Sequence, residues 1–160
     1  MGKGMTASIL RTSQMEEGED AIDNKTYAEA MSSLQLLLRS LRHMATQCHD
    51  HIDNNHEGLS DLQSEDLEDI VKDLRKELRR IADGIGKGDF SQLEKISEKT
   101  DELKSRIRKA DKQQLKRSKK EKYTTRTSLL YLELLTECEE IIHHANTLFS
   151  LCRKCYSREG

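Results

Sequence analysis

An all-α chain, an elongated antiparallel up-down bundle of four helices, is what this sequence predicts, and three observations carry that expectation. There is no proline in 160 residues, and proline disrupts helix interiors by removing a donor and clashing with the preceding turn. Aromatic residues make up only 4% and β-branched residues are few, which disfavours sheets. Apolar residues recur at steps of three and four over four long stretches. A length of 160 residues fits one domain, read as a lead-in over 1–24 and a helical body over 25–158.

Residues 1–24 are small and polar, with Glu16, Glu17, Glu19 and Asp20 late on. They are expected to be flexible, apart from a short helix around Thr6 to Arg11. A first long helix is expected from about Thr26 to Asn55, with a core stripe of Met31, Leu34, Leu38, Leu41, Ala45, Cys48 and Ile52, widened by Leu36 and Leu37. Asn54, Asn55 and Gly58 mark its stop. Ser60-Asp61-Leu62-Gln63 reads as the capping box of a second helix, whose stripe is Leu67, Ile70, Val71, Leu74, Leu78, Ile81 and Ile85. Gly84, Gly86 and Gly88 end it, and Asp89-Phe90-Ser91-Gln92 forms the next cap.

The third helix carries Leu93, Ile96, Thr100, Leu103, Ile107 and Ala110, then loses its apolar pattern in Lys116, Arg117, Lys119, Lys120 and Lys122. Thr124 or Thr125 is positioned to cap the fourth. That helix, with Tyr131, Leu134, Leu135, Cys138, Ile141, Ile142, Ala145, Leu148, Phe149 and Cys152, is the most apolar and is expected at the centre. Three short connections make successive helices antiparallel.

Charge and cysteine content narrow the function classes. With 27 basic and 29 acidic residues the net charge is -2, which argues against a globally electrostatic nucleic-acid binder. No run of about 18 apolar residues is present to span a membrane, and the start has no apolar stretch of signal-peptide type. Four cysteines in such a context are expected to be reduced thiols. Cys152-Arg153-Lys154-Cys155 has redox-motif spacing but no sheet to set its usual context. Gly84-x-Gly86-x-Gly88 follows a helix, so it lacks the strand that a phosphate-cradling loop requires.

Two polar constellations have metal-ligand character. On a continuous helix His49, Asp53 and His56 share one side, and imidazole with carboxylate at that spacing suits zinc. Glu139 and His143 lie one turn apart on the outer side of the fourth helix. In an up-down bundle His49 is level with about Tyr131, which separates the two sets by some three turns, or roughly 16 Å. The basic run Lys116, Arg117, Lys119, Lys120 and Lys122 is a candidate anion- or lipid-contacting segment. It lacks the interleaved aromatics of a nucleic-acid module, so no nucleic-acid partner is expected.

His51-Ile52-Asp53-Asn54-Asn55-His56-Glu57-Gly58-Leu59-Ser60 and Arg126-Thr127-Ser128-Leu129-Leu130-Tyr131-Leu132-Glu133-Leu134-Leu135-Thr136-Glu137 carry a family resemblance. Together they resemble the cytoplasmic PhoU-like domain that follows the membrane part of bacterial sodium/phosphate cotransporters, over roughly Tyr27 to Lys154. The resemblance implies a PhoU-like helical bundle, at the inner face of the cell membrane, that regulates phosphate flux without making or breaking bonds. Its partner would be a membrane-embedded phosphate transporter in the same polypeptide or a separate chain, and a homodimer is compatible with it.

Some such proteins hold surface metal clusters on Glu/Asp-x-x-x-Asp motifs. Leu134 to Ala145 resembles that run, with Glu139 kept, His143 at the aspartate position and His144 at the histidine. A divalent zinc or iron at Glu139 and His143 is what this implies. The alternatives to a transport regulator are a surface metal-binding bundle and a generic helical adaptor with a basic anion-binding segment.

Overall fold

The computed structural model describes residues 3–120 and 125–159, with side chains over 24–120 and 125–157. It consists of four helices: α1 (Lys3–Asp53), α2 (Asp61–Lys87), α3 (Leu93–Lys120) and α4 (Arg126–Glu159), with no strand among the described residues. No described helix is long and apolar enough to cross a membrane.

α4 is the centre of the body, as its composition predicts. Tyr131, Leu135, Cys138, Ile141, Ile142 and Phe149 are fully buried. α2, α3 and α4 close a three-helix unit through Ile70, Leu74, Leu103, Ile107, Leu135 and Ile142. Ion pairs and hydrogen bonds fix the helix directions. Asp73 meets Arg106 and Gln63 meets Gln114 across α2 and α3, while Arg108 meets Glu139 (2.9 Å) and Gln114 meets Ser128 across α3 and α4. Both pairings are antiparallel.

The caps expected for α2 and α4 form, and the one expected for α3 does not. Ser60 and Gln63 exchange side-chain and backbone hydrogen bonds at the start of α2. Its end is a left-handed turn at Gly88 (φ 63°), where Gly88 N–H reaches the Ile85 carbonyl and Asp89 N–H the Gly84 carbonyl. α1 closes by the same device on Asn55 (φ 53°), which tolerates the left-handed region better than most residues. Thr125 caps α4 by accepting from Ser128 N–H, and Thr124 lies outside the described residues, as does Lys122. Asp89 instead steadies the turn before α3 through the Ser91 N–H, and the Ser91 hydroxyl, then that N–H, holds its carboxyl below the usual range.

α1 departs from expectation in three ways. It has no break near Thr26: the backbone is helical from Lys3, so the region expected to be a lead-in continues the helix. Its neighbour is α4 alone, and among the described residues the consecutive helices α1 and α2 do not pack on each other. Its buried row is Ala30, Ser33, Leu37, Ser40 and Met44, while much of the expected core stripe is outside: Leu38 is 50% exposed and Ile52 74%. Small residues explain the choice. Ala30, Ser33 and Ser40 let the two backbones approach closely, and Leu37 and Met44 fill the space between.

His43 meets Glu137 and His56 meets Arg126, which together set α1 antiparallel to α4 and place His49 level with about Tyr131. By the same register Glu159 stands level with about residue 21, so α1 runs past the end of α4 by roughly 27 Å.

Candidate functional site

Among the described residues, polar chemistry gathers in several places. At one end of the bundle the last turn of α1 folds back on the start of α4. His51 Nε2 donates to the Glu57 carbonyl (2.6 Å), and Thr127 Oγ1 donates to the same oxygen (3.0 Å). Arg126 Nη1 donates to His56 Nε2 (3.1 Å), and the two imidazoles lie 5.1 Å apart. A shallow groove beside them is lined by Asp50, His51, His56, Arg126 and Glu133.

This geometry separates the first of the two expected ligand sets. The left-handed turn at Asn55 takes His56 off the helical line, so it meets His51 rather than His49 and Asp53. His49 is exposed with its ring 3.6 Å from neighbouring Asp50, and Asp53 is exposed at the helix end.

Glu139 and His143 do share the flank of α4 that faces α3, and two cations occupy it. Arg108 pairs with Glu139, and Lys104 Nζ donates to His143 Nδ1 (3.0 Å). Partial burial, then the Lys104 and His144 charges, pull the His143 pKa below its ordinary 6.5. Among the described residues no three His, Cys, Asp or Glu side chains converge as a metal site requires. His144 turns the other way and donates to Glu140 (3.0 Å).

A third cluster lies between α1 and α4. His43 Nδ1 donates to Glu137 (2.7 Å), while the Gln47 amide donates to His43 Nε2 (3.0 Å). Arg39, Glu140 and His144 complete the groove. Sequence reading missed it because His43 has no ligand-type neighbour in its own helix; only the inter-helix register brings Glu137 to it.

The basic run behaves as the C-terminal complement of α3. Arg117, Lys119 and Lys120 stand in its last turn, where cations offset the negative end of the helix dipole. Lys116 instead joins Lys104, Arg108 and Lys112 at four-residue spacing along an open face of α3. That spacing was legible in the sequence and extends the cationic surface three turns beyond the expected segment.

Inside, Gln114 donates to Ser128 (3.1 Å) and accepts from Gln63 (3.1 Å), tying the ends of three helices together. Glu77, with a side chain 5% exposed, pairs with Arg80 through one oxygen, while the other has no hydrogen-bond partner among the described residues. The four cysteines are free. Burial pushes the Cys138 thiol up to about 12 and raises those of Cys48 and Cys152, which keeps all three protonated and weakly nucleophilic. No family model, no curated protein and no solved structure matches the chain.

Proposed function

We propose that the chain is a non-enzymatic regulatory domain of PhoU-like type, acting by protein–protein contacts on sodium-dependent phosphate transport at the cytoplasmic face of the membrane. One observation carries this reading. The two stretches that bear the resemblance, 51–60 and 126–137, are far apart in sequence yet make one end of the bundle, joined by the Arg126–His56 and Thr127–Glu57 hydrogen bonds. Both stretches lie where α1 ends and α4 begins, so the residues that bear the resemblance form one continuous surface.

Regulation of this kind needs only that the domain contact two transporter states unequally, and about 1.4 kcal/mol of difference shifts their ratio tenfold. The rigid α2–α3–α4 unit supplies a firm body for such contacts. The test is phosphate uptake by vesicles carrying a bacterial sodium/phosphate cotransporter, with and without the purified chain. The chain should co-sediment with the vesicles and change the uptake rate severalfold, and R126E with H56E should remove both effects. Unchanged uptake without co-sedimentation refutes the reading.

A further inference from the structure

The row of α1 that the fold leaves outside is itself a helix-pairing seam. Tyr27, Met31, Leu34, Leu38, Leu41, Ala45, Cys48 and Ile52 alternate in steps of four and three, a repeat of 3.5 residues. That period suits a second helix running alongside over many turns. α4 already occupies a different row of α1, centred on Leu37, and α2 and α3 do not reach the helix. Tyr27 is 63% exposed, Met31 38% and Leu41 41%, beside the Leu38 and Ile52 already noted. These five side chains present on the order of 500 Å2 of apolar surface on one face, the upper end of what a monomer carries.

We propose that this face binds the same face of a second copy of the chain, α1 against α1, antiparallel about a two-fold axis. Reversal of the row about the point between Arg39 and Ser40 brings apolar residues together at every level. Tyr27 meets Ile52 of the second copy, Met31 meets Cys48, Leu34 meets Ala45 and Leu38 meets Leu41. A long side chain faces a short one at Met31–Cys48 and Leu34–Ala45, which keeps the helix axes evenly spaced. A two-fold interface demands such self-complementarity.

The flanks agree with that arrangement. Reversal sets Arg42 beside Gln35 of the second copy, so no like charges meet across the seam. With its polar border, a face some 39 Å long approaches the roughly 800 Å2 per partner of a stable dimer. This inference stands independently of the transport reading, since it uses a different face.

Sedimentation of the full chain should give a species of twice 18.4 kDa. Leu38→Glu, at a position half exposed in one copy, should give a single-copy mass with helical content and melting temperature retained. Direction is read by cysteine crosslinking. Met31→Cys oxidised with diamide should join to Cys48 of the second copy, and M31C with C48S should not. A single-copy mass for the unaltered chain overturns the proposal. So does an unaltered dimer in L38E, or efficient Cys48–Cys48 crosslinking, which requires parallel helices.

Discussion

Replacing Gly84 by alanine should destabilise the fold, although helix propensity alone favours alanine by about 1 kcal/mol. Gly84 sits near the end of α2, where the chain reverses over it. A Cβ there would meet the Asp89 carbonyl oxygen at 2.7 Å and the Phe149 ring at 2.7 Å. Neither can move aside cheaply. Asp89 is held by its N–H bond to the Gly84 carbonyl, and Phe149 is fully buried against Phe90, with centroids 5.0 Å apart. Overpacking of a tight site costs typically about 1–3 kcal/mol, and here the upper part of that range applies. The net loss is about 1–2 kcal/mol, a fall in melting temperature of about 3–6 °C for a domain of this size. Gly86 provides the control, because nothing lies within 4 Å of a Cβ built there. G86A should gain roughly 0.5 kcal/mol, less than the interior value because the helix is ending. Urea unfolding at equilibrium, with circular dichroism as the signal, measures both. Equal or greater stability in G84A would refute the packing described for this turn.

Three further outcomes follow from buried or coupled groups. Gln114→Leu orphans the Gln63 amide, while the Ser128 hydroxyl keeps Thr125 as a partner, and should cost about 1–2 kcal/mol in the same urea assay. The Tyr131 phenol, pushed up to about 12 mainly by burial and then by the Asp66 carboxylate, should remain un-ionised at a pH where exposed tyrosines titrate; ultraviolet difference spectra read this directly. His143, with its folded pKa below 6.5, disfavours protonation in the folded state. Its contribution is therefore present above the unfolded value and is lost as pH falls through the folded one. In NMR titration its imidazole should protonate below the usual range, and Lys104→Met should move the midpoint part of the way back up.

Much of the architecture was legible because local chemistry and tertiary packing agree. α2 shows this best: capping box, stripe and terminal glycine each sit where the sequence places them, and Ile70, Leu74 and Ile81 are buried in the order of their spacing. α4 could be recognised as central because apolar residues occupy most of its circumference. α1 could not be read in the same way, because greasiness and contact part company there. Ser33 and Ser40 count as polar in any apolar pattern, yet both are buried, since their small size is what the α4 contact uses.

Sites fared according to how local their geometry is. Glu139 and His143 were expected on the outer side of α4, and the structure sets them on its flank toward α3. Their cationic partners Arg108 and Lys104 come from a register between two helices that no spacing within either one encodes. His56 escaped the expected cluster through a single left-handed residue, Asn55, whose turn was expected but whose swing was not.

The attachment of α1 to a single neighbour has a consequence for how the molecule comes apart. Peeling α1 from α4 withdraws Leu37 and Met44 from the shared core but leaves the contacts among α2, α3 and α4 in place, so detachment in a single copy is a partial opening cheaper than global unfolding. In the single-copy L38E variant, amide deuteration should accordingly sweep through α1 in advance of the others, as a lever releasing from its bearing.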